Sequence, residues 1–229
     1  MTANIYLGDN QAAFDSGKKW SLAIVDPPYG INVGRMNMGM GTGKRCSKKK
    51  NRKWEAADWD SSVPDESYFL ALKAVSTNQI IWGGNYFDCL PIFNPKAKRL
   101  EDFRQLDGIV WDKGDGMYGR DFSEAEIAYS TCGSGWFKQQ PVQHGRIHPT
   151  SKPKELYRYV LKTFAKPGQS ILDTHGGGMN IVLACIDLGF DIDIWEKDPD
   201  YFASAKLRIQ NYCKQLPLFG EPPVINFYE

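Results

Sequence analysis

The chain has no C-x-x-C pair, no long apolar run and almost no net charge, and each absence removes a class of protein. Its five cysteines, Cys46, Cys89, Cys132, Cys185 and Cys213, are odd in number and scattered. Zinc-ribbon and dithiol redox readings therefore lack support, no metal is expected, and reduced thiols in a cytoplasmic protein are the expectation. The longest strictly apolar run, Ile181 to Ile186, falls far short of the roughly 20 residues a membrane span requires. Residues Met1 to Tyr6 show neither a basic n-region nor an apolar h-region, so no secretory signal is expected. Lys and Arg total 28 against 27 Asp and Glu, a net +1 that, averaged over the chain, argues against a surface coated for nucleic acid.

What is present suits one α/β domain. At 229 residues and 42% hydrophobic content, a chain can bury roughly 70% of its unfolded surface without a disulfide or metal. Seven short strands are expected at Ile5–Leu7, Leu22–Val25, Gln79–Trp82, Gly108–Trp111, Glu126–Ser130, Ser170–Leu172 and Ile192–Trp195. Most are continuous apolar runs rather than alternating ones, which suits a sheet covered on both faces. Pro64-Asp65-Glu66 opens a helix running to about Ser76. Another spans Lys152 to Lys166, with Leu156, Tyr159, Val160 and Phe164 on one stripe, and Pro167-Gly168 stops it. Met179 to Leu188 forms a third, ending at Gly189. Asp198 caps the last, which turns Phe202, Ala205 and Ile209 to one face. Alternating strands and helices predict a doubly wound α/β sheet. Gly30 to Val63 and Leu90 to Leu106 have no apolar period, and a loop over 30 residues long is functional or mobile.

Chemistry concentrates at two strand ends. Leu22–Val25 runs into Asp26, Pro27, Pro28 and Tyr29. Two prolines stiffen the turn and remove two N–H donors, leaving carbonyls and a carboxylate as acceptors with an aromatic ring behind them. That set suits a planar group bearing an exocyclic NH2, although a lone D-P-P is ordinarily just a stiff turn. Ser170–Leu172 runs into Asp173, Thr174, His175, Gly176, Gly177 and Gly178, then into a helix. Strand, glycine turn and helix bring a nucleotide-like ligand against backbone amides. Glu196 lies 20 residues after Gly176, the spacing at which a carboxylate meets ribose hydroxyls.

Together with His148-Pro149-Thr150-Ser151-Lys152-Pro153, these two motifs resemble the DNA amino-methyltransferases that use S-adenosylmethionine (SAM). The shared features run from about Ile5 to Ile209. Gln79 to Asn85 and Val110 to Lys113 look like the phage- and prophage-type adenine enzymes. The catalytic motif precedes the cofactor motif, which resembles the permuted beta order. The resemblance implies a Rossmann-like, seven-stranded, single-domain methyltransferase with SAM as cofactor. It places Asp26 to Tyr29 at the reacting amine, and Asp9, Lys152, Asp173 to Gly178 and Glu196 at the cofactor. The glycine turn departs from the family's usual D-P-F-x-G-S-G-T: His175 stands at the aromatic position, and Gly178 and Asn180 at the hydroxyl positions.

The expected reaction is direct methyl transfer to adenine N6 in double-stranded DNA. N4 of cytosine is the alternative, since resembling N4 enzymes more often carry Ser where Asp26 stands; a non-catalytic binder on a degenerate scaffold is another. Methylation at cytosine C5 needs a nucleophilic Cys, typically after Pro, and the chain has no Pro-Cys dipeptide. The base must be flipped out of the duplex, costing a few kcal/mol, and stacking on Tyr29 returns ~1–3 kcal/mol. Lys44, Arg45, Lys48, Lys49, Lys50, Arg52 and Lys53 put seven cations and no acids into ten residues. Their +7 against the chain's net +1 leaves −6 elsewhere, so the balanced total conceals a basic loop suited to phosphates. Seven such contacts imply a log K against log salt slope of about −6. Residues 86–143 are the expected target-recognition region; its shortness implies a short target or a homodimer. In the tail, 214–229, Gln215-Leu216-Pro217-Leu218-Phe219 resembles the Q-L-x-L-F peptide that docks on the bacterial sliding clamp. A tail folded back on the sheet is the alternative.

Overall fold

Apolar runs too continuous for a half-exposed strand become the centre of one sheet. The structure is a computed structural model and describes residues 1–31, 60–90, 108–114, 123–139, 150–215 and 221–229. The basic run 44–53, His148-Pro149, Leu216 to Phe219 and much of the 86–143 region lie outside the described residues.

The strands are β1 (Thr2–Leu7), β2 (Trp20–Val25), β3 (Ser76–Trp82), β4 (Gly108–Asp112), β5 (Ala125–Ser130), β6 (Gly135–Lys138), β7 (Ser170–Asp173), β8 (Asp191–Glu196) and β9 (Val224–Tyr228). The helices are α1 (Gln11–Asp15), α2 (Glu66–Val75), α3 (Lys154–Phe164), α4 (Asn180–Leu188) and α5 (Pro199–Cys213). All nine strands form one sheet in the order β6-β4-β5-β3-β2-β7-β8-β1-β9. Six of its pairings are parallel, and only β5 runs against its neighbours β3 and β4.

Period-two alternation sorts the core. Leu22 and Ile24 of β2 pack toward α3, α4 and α5, while Ala23 and Val25 pack with Tyr68, Phe69 and Leu72 of α2. Both faces of the central strands are thus covered, which is why β2 needs no polar side. The doubly wound α/β expectation holds, and every expected strand lies within an observed one. Among the described residues the count is nine strands where seven were expected. Among the described residues β6 and β9 each pair with one neighbour only and are half exposed, so neither needs an unbroken apolar run. In the tail, Val224–Tyr228 joins the sheet beside β1, in keeping with the folded-back alternative for that part of it.

The caps follow from local chemistry. Asp65 accepts from the Tyr68 amide at the start of α2, and Asp198 accepts from the amides of Asp200 and Tyr201 at the start of α5. Gly189 closes α4 at φ 78°. On α3 the buried set is Leu156, Tyr157, Val160 and Leu161; the expected stripe residues Tyr159 and Phe164 are only partly buried. Among the described residues no helix is long and apolar enough to cross a membrane.

Candidate active site

The sheet places its chemistry along one edge. β2 and β7 are neighbours, but the next parallel partners diverge, β3 on one side and β8 on the other. A crevice opens beyond the carboxyl ends at such a reversal. Asp26 follows β2, Asp173 ends β7, Glu196 ends β8, and Gly8-Asp9 follow β1. Between them lies a cavity of about 420 Å3, in the range of small-ligand and cofactor sites.

Every expected cofactor residue except Asp173 lines this cavity, as do Asp26 and Pro28. Asp173, 2% exposed, sits behind the wall and accepts from the His175 amide at 2.9 Å. It therefore shapes the glycine turn from inside. Burial pushes its carboxyl up to about 8, with the charges of Asp26 and Glu196 adding to the rise. Glu196 staples the same turn from the other side, accepting from the amides of Gly177 and Asp198. Gly176 sits in close quarters: a Cβ there would lie 3.1 Å from the Trp195 carbonyl and 3.3 Å from Glu196 Cβ, so a side chain would push the turn outward. Met179, at φ 49°, is the one non-glycine residue with a positive φ among the described residues. A left-handed conformation costs roughly 1–2 kcal/mol, and the 1% exposure of its side chain shows what offsets it.

His175 reaches the cavity in a chain of contacts. Tyr68 Oη lies 2.7 Å from Thr174 Oγ1, which lies 3.0 Å from His175 Nδ1. His175 Nε2 is 3.4 Å from Asn10 Nδ2. Burial, then the positive charge of Lys197, pushes the imidazole down to about 3. Unfolded histidine takes its proton near pH 6.5, so acid favours the unfolded state between that pH and about 3. Replacing His175 with Phe should remove this part of the acid lability. Urea midpoints at pH 7, 5 and 4 should show wild type losing stability relative to the variant by at most about 1.4 kcal/mol per pH unit. Parallel losses in both proteins would assign the acid lability to other groups.

The catalytic-turn side is built around a buried cation that composition did not reveal. Lys152, its side chain 1% exposed, meets Asp26 Oδ1 at 2.5 Å and Glu126 Oε2 at 3.1 Å. Its third N–H donates to Tyr29 Oη at 3.0 Å. All three ammonium hydrogens are thus committed within the protein, so Lys152 faces the cavity chiefly with stem and backbone. The rings of Tyr29, Trp82 and Trp111 lie 5.3–6.0 Å from its Nζ. Tyr29 donates to Asp26 Oδ1 at 2.6 Å, so both bonds to Asp26 fall on one oxygen. Among the described residues, Oδ2 makes no hydrogen bond. Glu126 Oε1 meets a second cation, Lys113, at 2.8 Å. Sequence reasoning missed Glu126 and Lys113; the only signal is a carboxylate at the mouth of an apolar strand.

Tyr29 itself stands behind the wall, stacked on Tyr86 with centroids 4.9 Å apart. One face of the ring expected to carry a flipped base is therefore already covered. Gly83, at φ 70°, makes room for it: a Cβ there would lie 2.1 Å from Tyr29 Cε1. Asp60 Oδ1 receives the Tyr29 and Gly30 amides, fixing the exit from the turn. Two buried polar atoms of cavity-lining residues, Ser151 Oγ and Asn180 Oδ1, have no partner among the described residues. The Asn180 amide is oriented by Nδ2 donating to the Lys152 carbonyl. No cluster of three or more metal-ligating side chains occurs among the described residues.

No family model matches the chain, and no curated protein matches it. Solved structures do. M1.HpyAVI in complex with SAM is 18% identical, with a TM-score of 0.55 over 90% of this chain and 99% of that one. The cytosine-N4-specific PvuII DNA methyltransferase is 13% identical, with a TM-score of 0.53 over 97% and 89%. The chain has the fold of a DNA methyltransferase. TTHA0409 from Thermus thermophilus, complexed with S-adenosyl-L-methionine, adds a TM-score of 0.51 at 15% identity over 99% and 98%. On this methyltransferase fold, the sites built above occupy the carboxyl edge of the sheet.

Proposed function

We propose that the chain is a SAM-dependent DNA methyltransferase acting on the N6 amine of adenine. The observation that carries this is Asp26. It stands at the cavity wall with Oδ1 saturated by Tyr29 and Lys152 and Oδ2 free of described partners, across the crevice from the glycine turn. The cavity fits the cofactor: it gathers Asp9, the Gly176–Gly178 turn and Glu196 on one wall, and Ser151 Oγ and Asn180 Oδ1 are buried with no partner among the described residues. Asp9, the Gly176–Gly178 turn and Glu196 would hold it. When bound, SAM supplies an electrophilic methyl group.

The chain's own residues position the acceptor. An adenine amine is a weak nucleophile because its lone pair is delocalised into the ring. A hydrogen bond from the amine to Asp26 Oδ2, with a second to the Pro27 carbonyl, localises that pair and fixes its direction. Pro27 and Pro28 keep both acceptors rigid. Tyr86 and Tyr29 offer an aromatic stack beside the turn, and the basic run 44–53 supplies cations for the DNA backbone. Aspartate in the D-P-P-Y turn favours adenine over the N4-cytosine alternative, to which the likeness to PvuII methyltransferase draws attention.

Incubation with labelled SAM and duplex DNA, followed by digestion to nucleosides, tests the proposal. Label should appear on N6-methyladenine. Label on cytosine would replace the substrate, and SAM binding by calorimetry without any transfer would leave a non-catalytic binder.

A further inference from the structure

Two half-buried carboxylates share one buried cation, yet their surroundings differ. Lys152 bonds to Asp26 on one side and Glu126 on the other. Among the described residues only Glu126 has a second cation, Lys113 at 2.8 Å on its far oxygen. Lys113 follows β4 and Glu126 lies on β5, strands that register side by side at this end of the sheet. Neither belongs to the turn or motif in which Asp26 and Lys152 lie.

We infer that Glu126, held by Lys113, is a positioning residue that draws on the charge of Lys152 and leaves Asp26 as the member of the pair that accepts a proton. With all four groups ionised the cluster is neutral, and Lys113 commits its charge to Glu126. Asp26 keeps a share of Lys152 only. The groups facing Asp26 from every packed element are few: Tyr29 of its own turn, Lys152 before α3, Tyr157 on α3, Tyr68 on α2, Asp173 on β7 and Glu126 on β5. Burial holds the three phenols protonated, and burial raises Asp173 to about 8, so it is largely uncharged near neutrality. Lys152 and Glu126 are therefore the charges that set Asp26. The directions agree with the geometry. Burial raises Asp26, Lys152 opposes the rise and Glu126 adds to it. Burial acts upward on Glu126 too, but Lys152 and Lys113 outweigh it and hold it at about 2.

The proton in question follows from the proposed reaction, on which this part of the inference rests. As the methyl carbon leaves sulfur with the S–C pair staying on sulfur, the amine lone pair forms the new N–C bond. The nitrogen becomes cationic and must release one proton, and Asp26 Oδ2, which has no partner among the described residues, is the oxygen proposed to face the amine and take it.

The test compares Glu126→Gln and Lys113→Met, which act in opposite directions. In SAM-free protein with 13C-carboxyl-labelled aspartate, Asp26 is assigned by the resonance lost in Asp26→Asn. Glu126→Gln removes a negative neighbour and should lower the Asp26 titration midpoint by about one pH unit or more, a tenfold loss of proton affinity. Lys113→Met removes a distant cation and should raise it. The acid limb of single-turnover methyl transfer should move in the same two directions. Midpoints that stay put, or move together, overturn the inference, as does a uniform loss of rate with an unshifted limb. The NMR arm needs no turnover, so absent transfer with opposed midpoint shifts would sink the proposed function and leave the charge division standing. If Glu126→Gln fails to fold, the upward shift in Lys113→Met decides alone.

Discussion

Replacing Lys152 with methionine should cost about 3–5 kcal/mol of stability, the usual consequence of removing one partner from a buried ion pair. The reason is specific to this site. Methionine keeps the volume and can pack against Trp82 and Trp111, so a cavity contributes little. What remains is two carboxylates, 18% and 20% exposed, with their shared cation gone. Lys113 still pairs with Glu126, so the uncompensated charge falls chiefly on Asp26. The cost should therefore depend on pH with a definite sign. Without Lys152, folded Asp26 binds protons more readily than unfolded aspartate does near pH 3.9. Above that pH the folded state holds the extra proton, so the variant loses stability as pH rises and recovers as it falls. Urea denaturation at pH 5 and pH 8 should show a smaller deficit at pH 5. A deficit equal at both pH values would assign the loss to packing. Adding Glu126→Gln should recover part of the loss, giving a coupling energy above about 1 kcal/mol.

The residues in that cluster explain which parts of the site were readable in advance. Asp26 and Tyr29 announce themselves because an apolar strand ends abruptly in two prolines, a local event within eight residues. The glycine turn does the same after β7, and Glu196 follows at a spacing set by one helix and one strand. Glu126 has no such signature. It lies 97 residues from Tyr29, and only the pairing of β5 between β3 and β4 brings it to the turn. Lys152 was visible as part of a motif, but its motif says nothing of where three N–H bonds go. The fold divides in the same way. β2 and β7 are legible because both faces are buried, whereas β6 and β9 lie at the edges, where one neighbour and partial cover require no unbroken apolar run. α1 spans five residues with a single fully buried side chain, Ala13, too short for a helical period to emerge.

Within this architecture the ion cluster and the cavity are separable, and the second large effect exploits that. Asp26→Asn should slow methyl transfer by about 10²- to 10³-fold, the scale at which one preorganised polar contact to a reacting group is lost. The amide keeps the shape of the turn. It offers one acceptor where the carboxylate offers two, and it cannot take a proton. If the carbonyl stays on Tyr29 and Lys152, the NH2 faces the substrate amine and meets it donor to donor. Stability should suffer far less than in Lys152→Met, because Lys152 retains Glu126 and Tyr29; about 1–3 kcal/mol is expected for a weakened bond to a charged group. SAM affinity should stay within a few-fold of wild type, since the glycine turn and Glu196 are untouched. Single-turnover rates paired with calorimetric SAM titration check all three expectations. A rate near wild type would remove Asp26 from the chemistry and transfer the burden to the Pro27 carbonyl. A collapse of SAM binding would show that the turn and the cofactor wall are one unit, linked through the Lys152 backbone and Asn180.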